Sequence, residues 1–346
     1  MKPIRILIDD GLMLARDKPT GIGWYTLNLL ETLPELGVEV KRIQYSLFFC
    51  RLPAPVKRLA YMVTAHHNRR RTDVDVVHYT NFFVPPRRHR ARVVSTVHDL
   101  TAFLYPETLT WSYRGYSRRA TTNAIRYADR VLVPSEAVRD ELLDRFKPLS
   151  PDRIRVVYQD IRDLFFRGTS EPLVPREHFL YVGVLEKRKN LAWLIRTFSR
   201  FAEHRPSAKL ILIGKPGYGY TEIERAIFES RNVIYQPYLS DEGLVSLYRK
   251  SYALILPSVY EGFGRPVVEA MAMGLPVLAS DIPTNRELRD RHGKIVLFDL
   301  SRPDDLLDLL DQFLKATPER IDYGDLGLYR RMEVARRHVE AYSGLL

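Results

Sequence analysis

The sequence predicts an α/β protein with two doubly wound, mostly parallel sheets, each in its own domain, facing a central cleft. Three observations lead there. The chain has 346 residues, and a prior of roughly 150 residues per domain divides it in two. Short β-branched runs alternate with helical patterns along nearly its whole length, as when helices cover both faces of a parallel sheet. That alternation pauses between Gln159 and Glu177, where Gly168, Ser170, Pro172 and Pro175 interrupt any periodicity.

The elements follow in order. Ile4–Ile8 reads as the first strand, and a turn containing Gly21 and Gly23 leads to a helix over Trp24–Glu35. Val38–Ile43 returns to strand, and Val56–Arg71 has the spacing of a basic amphipathic helix. Strands Val74–Tyr79 and Arg92–Val97 precede a helix at Tyr113–Tyr127, strand Arg130–Val133, helix Glu136–Phe146 and strand Ile154–Tyr158. After the pause come strand His178–Val182, helix Leu191–Glu203, strand Lys209–Ile213, helix Glu222–Glu229 and strand Asn232–Gln236. Helix Asp241–Lys250, strand Ala253–Leu256, helix Pro266–Met273 and strands Pro276–Ala279 and Ile295–Phe298 continue the pattern. Helices Asp304–Lys315 and Tyr329–Tyr342 complete it. The expected domains are 1–160 and 161–327, with the last helix, within 328–346, able to pack back on the first.

Composition narrows the class. Hydrophobic residues at 45% and charged residues at 27% exclude a largely disordered chain. No apolar run approaches the ~18 to 20 residues that span a bilayer. Asp9 and Asp10 cut the first apolar stretch, which argues for a strand over a signal peptide. The single cysteine, Cys50, leaves no internal disulfide and fits the cytosol. The net charge of +11 is unevenly placed: residues 1–150 carry 24 basic and 15 acidic residues, and 151–346 carry 29 and 27. Between Arg51 and Arg92, ten basic residues face only Asp73 and Asp75. Such a patch attracts phosphates on a membrane surface or a nucleic acid. Tyr61, Tyr79, Phe82 and Phe83 form no clear stacking platform there, so no nucleic-acid partner is expected.

Four constellations could carry chemistry at the ends of the strands, where open α/β sheets bind ligands. Gly21 and Gly23 allow backbone N–H groups to approach a phosphate. A dinucleotide site would want a third glycine where Thr26 stands. His98 and Asp99 close a strand at the cleft. Lys187, Arg188 and Lys189 gather where a helix begins and where its dipole is already positive, which calls for an anion such as a diphosphate. Glu261 and Glu269, separated by Gly262, Phe263, Gly264, Arg265 and three further residues, suit hydroxyl recognition at two places along one ligand. Asp73 and Asp75 have metal-binding spacing but lie at the wrong end of a strand, so no metal is expected.

With these motifs in order, the chain resembles the family-4 retaining glycosyltransferases of GT-B fold, with two Rossmann-like domains. Gly21-Ile22-Gly23-Trp24-Tyr25, His98-Asp99-Leu100, Glu186-Lys187-Arg188-Lys189-Asn190 and Leu239-Ser240-Asp241-Glu242 carry the resemblance, with the Glu261…Glu269 pair as its EX7E motif. By that resemblance Arg188 and Lys189, with Gly21 and Gly23, would hold the donor diphosphate. Glu269 would take the ribose hydroxyls. Glu261 and Gly262–Arg265 would hold the donor sugar, and His98 would line its pocket near the reacting centre. The resemblance implies no metal and no cofactor beyond the nucleotide-sugar substrate. Its TVHDL and GVLEKRKNL segments are similar to those of mannosyltransferases of bacterial surface-polysaccharide assembly, which favours GDP-mannose, with a UDP-sugar as the second choice. A glycan or polyprenyl-diphosphate-linked acceptor would then meet the enzyme at the inner face of the cell membrane, with Val56–Arg71 docked on anionic lipid. A nucleotide-sugar epimerase and a basic nucleic-acid-binding protein are the remaining alternatives. Val184, Arg265 and Pro283-Thr284-Asn285-Arg286-Glu287 depart from the family pattern around the donor.

Overall fold

The computed structural model of the chain describes residues 2–9, 21–43, 56, 73–86, 90–167, 174–317 and 319–346. It divides into two compact units. One takes in the chain to Pro106, Thr110–Asp160 and Leu328–Leu346; the other takes Glu107–Leu109 and Ile161–Gly327. Among the described residues each holds a six-stranded sheet in which every pairing is parallel.

The first sheet comprises β1 (Arg5–Asp9), β2 (Glu39–Arg42), β3 (Val76–Tyr79), β4 (Arg92–Thr96), β5 (Arg130–Val133) and β6 (Ile154–Val156), in spatial order β2-β1-β3-β4-β5-β6. β3 and β5 are buried throughout, as parallel strands are when both faces are covered. Side chains alternate between two cores. Ile6, Ile8, Val76, Val94 and Leu132 face α1 (Gly21–Thr32) and the C-terminal helix; Leu7, Val77, Val93, Val131 and Val133 lie with Phe83, Ala120 and Leu142 in the other. α2 (Thr101–Leu104), α3 (Trp111–Tyr127) and α4 (Glu136–Arg145) complete the cover. The last two start on hydroxyl caps: Thr110 accepts from the Tyr113 amide and Ser135 from the Val138 amide.

In the second unit α5 (Asp163–Phe166) precedes β7 (His178–Val182), α6 (Leu191–His204), β8 (Leu210–Ile213), α7 (Tyr220–Glu229) and β9 (Val233–Gln236). Then follow α8 (Asp241–Arg249), β10 (Ser251–Leu256), α9 (Arg265–Ala272), β11 (Val277–Ser280), α10 (Pro283–His292), β12 (Ile295–Phe298) and α11 (Pro303–Lys315). The strand order is β12-β11-β10-β7-β8-β9, so the connections reverse direction between β7 and β10. Ligands bind outside the carboxyl ends of strands at such a reversal. α12 (Arg331–Ser343) returns to the first unit.

Three expectations need correcting. Gly21 and Gly23 do not form a loop before the helix; they belong to its first turn, with Gly23 buried. The segment starting at Pro283, given no element by the sequence, is helix α10, because proline with its fixed φ opens a helix. The pause after Gln159 contains the short helix α5. The expected helix Val56–Arg71 lies, except for Val56, outside the described residues, as does most of the basic window. Among the described residues, no helix is long and apolar enough to cross a membrane.

Candidate functional site

In the second unit the reversal between β7 and β10 brings two loops together. The chain leaves β7 through Gly183 and enters a 3-10 turn, Lys187–Lys189, with Asn190 left-handed before α6. The Val259 amide donates to the Arg188 carbonyl at 3.0 Å, which ties this turn to the loop after β10. Side chains cross the same seam. Arg188 donates to Glu261 Oε2 at 2.9 Å, to the Tyr260 carbonyl at 2.6 Å and to Glu186 Oε1 at 2.7 Å. Lys189 Nζ donates to Glu261 Oε1, which also accepts from the Ser258 hydroxyl at 2.6 Å. The sequence called for an outside anion to settle the Lys187–Lys189 cluster, but the structure supplies counter-charge from within the chain, through Glu186 and Glu261.

Glu261 is 5% exposed. Burial pushes its carboxyl up, yet the charges of Lys189 and Arg188 and the hydrogen bonds from Lys189 and Ser258 outweigh it and hold the group at about 2. The carboxylate is therefore ionised at neutral pH, and the Glu261 backbone carbonyl accepts from the Thr284 hydroxyl at 2.6 Å. Thr284 thus supports the site from α10, and Asn285 ties the same helix to the Ser280 carbonyl at 2.9 Å, a contribution that the sequence did not reveal. Pro283 at a helix start was the signal that could have found it.

Gly262, Phe263 and Gly264 are buried between Glu261 and α9, and Arg265 opens that helix half-buried. Gly264 takes a φ of +90°, a left-handed turn that glycine adopts without strain. Glu269 sits in the middle of α9 and is 8% exposed. Burial raises its carboxyl above the ordinary range, against the pull of Arg265, Arg162 and a 2.9 Å hydrogen bond from the Tyr248 hydroxyl. Tyr248, from α8, is a second residue that sequence reasoning missed. The two glutamates thus have opposite electrostatics, one held ionised by two cations and one pushed toward neutrality.

In the first unit, β1 and β3 flank the reversal, and α1 starts beside it. The hydroxyls of Thr26 in α1 and Thr80 after β3 meet at 2.9 Å. His98, 5% exposed, donates from Nε2 to the Thr80 carbonyl at 2.7 Å and accepts at Nδ1 from Gln159 at 3.0 Å. Both ring nitrogens are engaged. Asp73 and Asp75 pair with Arg5 at 2.6 and 2.9 Å. Among the described residues no group of three or more histidine, cysteine or acidic side chains could hold a metal ion.

Behind His98 runs a buried hydrogen-bond chain with a single direction. His338 Nδ1 lies 2.7 Å from the Val334 carbonyl and must carry the proton there. Its Nε2 then accepts from Tyr25, whose hydroxyl oxygen accepts from Thr96 at 2.9 Å. Thr96 accepts in turn from His78 Nε2, and His78 Nδ1 accepts from Tyr342, both at 2.8 Å. Burial keeps both imidazoles neutral, lowering His338 to about 4 and His78 well below its ordinary value. The chain begins and ends on α12 and fastens that helix to the sheet.

Comparisons with known proteins agree on both halves. Residues 19–159 match the family described as Glycosyltransferase Family 4, and residues 168–327 match Glycosyl transferases group 1. The O-antigen chain mannosyltransferase B of Escherichia coli is 29% identical over 226 residues, covering 62% of this chain and 58% of that protein. The O-antigen chain mannosyltransferase RfbU of Salmonella typhimurium is 30% identical over 196 residues, covering 56% and 53%. The chain thus matches little more than half the length of these relatives. Among solved structures, a sucrose-phosphate synthase from Thermosynechococcus elongatus superposes with a TM-score of 0.75 at 18% identity, over 99% of both chains. Anabaena HepE in complex with UDP and glucose follows at 0.69 and 16%, over 98% of this chain and 99% of that one.

Proposed function

Since this chain belongs to the two-domain GT-B glycosyltransferases, with a family-4 first half and a group 1 second half, we propose that it transfers a hexose from a nucleotide sugar to a glycan or lipid-linked glycan, with retention of anomeric configuration. The observation that carries this reading is the buried Arg188–Glu261–Lys189 cluster at the reversal of the second sheet. Glu261 holds two cations in fixed positions where a diphosphate would be neutralised without reorganisation. Arg188 offers the forked geometry that suits phosphate oxygens. The amides of Gly262–Arg265 and the Glu261 carboxylate are assigned to the sugar hydroxyls, and Glu269, held by Tyr248, to the ribose. In the first unit, the start of α1 at Gly21 and Gly23 is assigned to the phosphates or the acceptor, and His98 to the sugar pocket. The leaving phosphate oxygen would take the acceptor's proton on the face from which it departs, which requires neither a metal nor a cofactor.

Mannose from GDP-mannose is the preferred donor reading, supported by relatives named O-antigen mannosyltransferases; the UDP-sugar reading stands second. The acceptor is assigned to a glycan carried on polyprenyl diphosphate, and the enzyme would then work at the inner face of the membrane. The basic stretch Val56–Arg71 is assigned to anionic headgroups, each cation adding about 1 kcal/mol near the surface. Thermal-shift titration with GDP-, UDP- and dTDP-sugars tests the donor: a ligand at ~100 times its dissociation constant adds about 2.7 kcal/mol. The reading requires stabilisation by GDP-mannose above the others, and sugar transfer that EDTA leaves unchanged. Indifference to every nucleotide sugar would sink it.

A further inference from the structure

We propose that Asn81 binds a hydroxyl of the acceptor sugar and helps to decide which sugar is accepted. The proposal rests on the transferase reading above and adds to it a residue outside the motifs. β3 and β4 run side by side as far as Tyr79 and Ser95. Beyond them the chain stays at the strand ends: the Phe82 amide donates to the Thr96 carbonyl at 3.1 Å, and His98 donates to the Thr80 carbonyl at 2.7 Å. Asn81 is therefore one residue from the carbonyl that holds the His98 ring. It lies at the carboxyl end of β3, where the first sheet reverses and where open sheets take their ligands.

Two features of this turn are unfavourable in the chain alone. Asn81 is 4% exposed, and its buried Oδ1 has no hydrogen-bond partner among the described residues. The Phe83 amide donates to the Asn81 carbonyl at 2.5 Å across Phe82, whose φ of +40° marks a three-residue turn of the rare, strained kind. Strand alternation would send Phe82 and Phe83 to opposite faces. The turn instead sets both rings against Tyr116, with centroids 6.4 and 6.2 Å away. On its other side Thr80 is fixed by the Thr26 hydroxyl and by His98. The backbone of Asn81 is thus held from both directions while its side-chain acceptor is left unpaired. Strained backbone and orphaned buried polar groups collect where a ligand is to be held.

The orphan also selects the chemistry of its partner. An amide oxygen only accepts, so the group that meets it must bring a proton. An ionised carboxylate or a phosphodiester brings none. A sugar hydroxyl does, and a neighbouring hydroxyl can accept from the Asn81 amide nitrogen. The donor's diphosphate and ribose are assigned to Arg188, Lys189 and Glu269 in the second unit, which leaves the receiving sugar for Asn81 in the first. With no hydrogen bond to break at Oδ1, the amide can turn about its last torsion toward the incoming hydroxyl. A sugar lacking that hydroxyl leaves the amide unpaired and is rejected.

The test uses the full chain with GDP-mannose, or whichever nucleotide sugar the thermal-shift titration selects. Release of the nucleoside diphosphate is followed in water alone and with the methyl glycosides of mannose, glucose, galactose and N-acetylglucosamine. The expected result is that Asn81→Leu, of similar size and without a polar atom, lowers kcat/KM for the preferred glycoside about tenfold through KM, the worth of one buried hydrogen bond. Release to water and calorimetric affinity for the nucleoside diphosphate should stay unchanged. Asn81→Asp, which keeps the accepting oxygen, should retain more transfer than Asn81→Leu. The deoxy glycoside that lacks the bound hydroxyl should lose the same factor in the parent and nothing further in Asn81→Leu. Far-UV dichroism checks the fold, and Asn81→Ala replaces the leucine variant should that one not fold. Equal transfer by parent and variant, equal loss of transfer and of release to water, or a parent whose release no glycoside accelerates overturns the proposal and leaves the transferase reading standing. A parent that consumes no nucleotide sugar overturns that reading, and the role of Asn81 with it.

Discussion

Glu261 fixes two cations with the same carboxylate that is assigned to the sugar hydroxyls. Its oxygens receive Lys189, Arg188 and Ser258 at once. Removing a partner leaves a buried charge under-compensated, so Lys189→Ala should cost stability, by about 3 kcal/mol, as well as donor affinity. Arg188→Ala, which loses charge-assisted contacts worth about 1.5 to 3 kcal/mol, should weaken donor binding by one to two orders of magnitude with the fold intact. Calorimetry with the nucleoside diphosphate and chemical denaturation measure the two effects separately. Glu269→Ala should chiefly weaken the free nucleotide, whereas Glu261→Gln should lower transfer more than nucleotide binding. The reverse order would show the two carboxylates wrongly assigned. The motif residues were visible as a string, but their pairing was not. Arg188 and Glu261 are 73 positions apart, and only the reversal between β7 and β10 makes them neighbours.

Strands were legible because both sheets are covered on both faces. Leu210–Ile213 and Ser251–Leu256 are nearly continuous apolar runs, which no exposed segment could sustain. Helix ends were less so, since caps depend on a few local hydrogen bonds. α10 escaped entirely because its polar first turn resembles a loop until Thr284 and Asn285 are seen to point inward. The loops after β7 and β8 depend on a close approach that no composition reveals. A Cβ on Gly214 would stand 1.8 Å from the Gly183 carbonyl oxygen, whereas one on Gly264 would meet nothing nearer than 3.7 Å. Gly214→Ala should therefore destabilise by about 3 kcal/mol or more, and Gly264→Ala by only about 1 to 2 kcal/mol of backbone strain. Urea midpoints of the two variants check the ranking. α12 makes a separate prediction through His338. Its folded value of about 4 lies below the ordinary 6.5, so the unfolded chain binds the proton first and stability falls as pH drops from 6.5 to 4. The loss amounts to about 3 kcal/mol at most. Melting temperatures across that window should decline in the parent and decline less steeply in His338→Gln.

At the scale of the molecule, the two units differ in how they are strung. The second, apart from Glu107–Leu109, is one stretch of chain from Ile161 to Gly327, while the first is completed from Leu328 onward. Val334, Ala335, Ala341 and Tyr342 pack with Ile6, Ile8, Tyr25 and Leu132, and Arg130 donates to the Ala341 and Gly344 carbonyls at the end of α12. Ending the chain at Gly327 should therefore cost the first unit its cooperative melting transition and spare that of the second; a scanning calorimeter would register both.

The same stringing has a consequence on the ribosome. When Asp160 emerges, the first unit has its six described strands but lacks α12, which shares with α1 the cover of one face. Another 183 residues must be translated before α12 is complete at Ser343, a wait of roughly 10 to 40 s at ordinary elongation rates. The usual order, in which the N-terminal domain matures first, is thereby inverted: the later half can finish while the earlier one still exposes Ile6, Tyr25 and Val94 to whatever holds nascent chains.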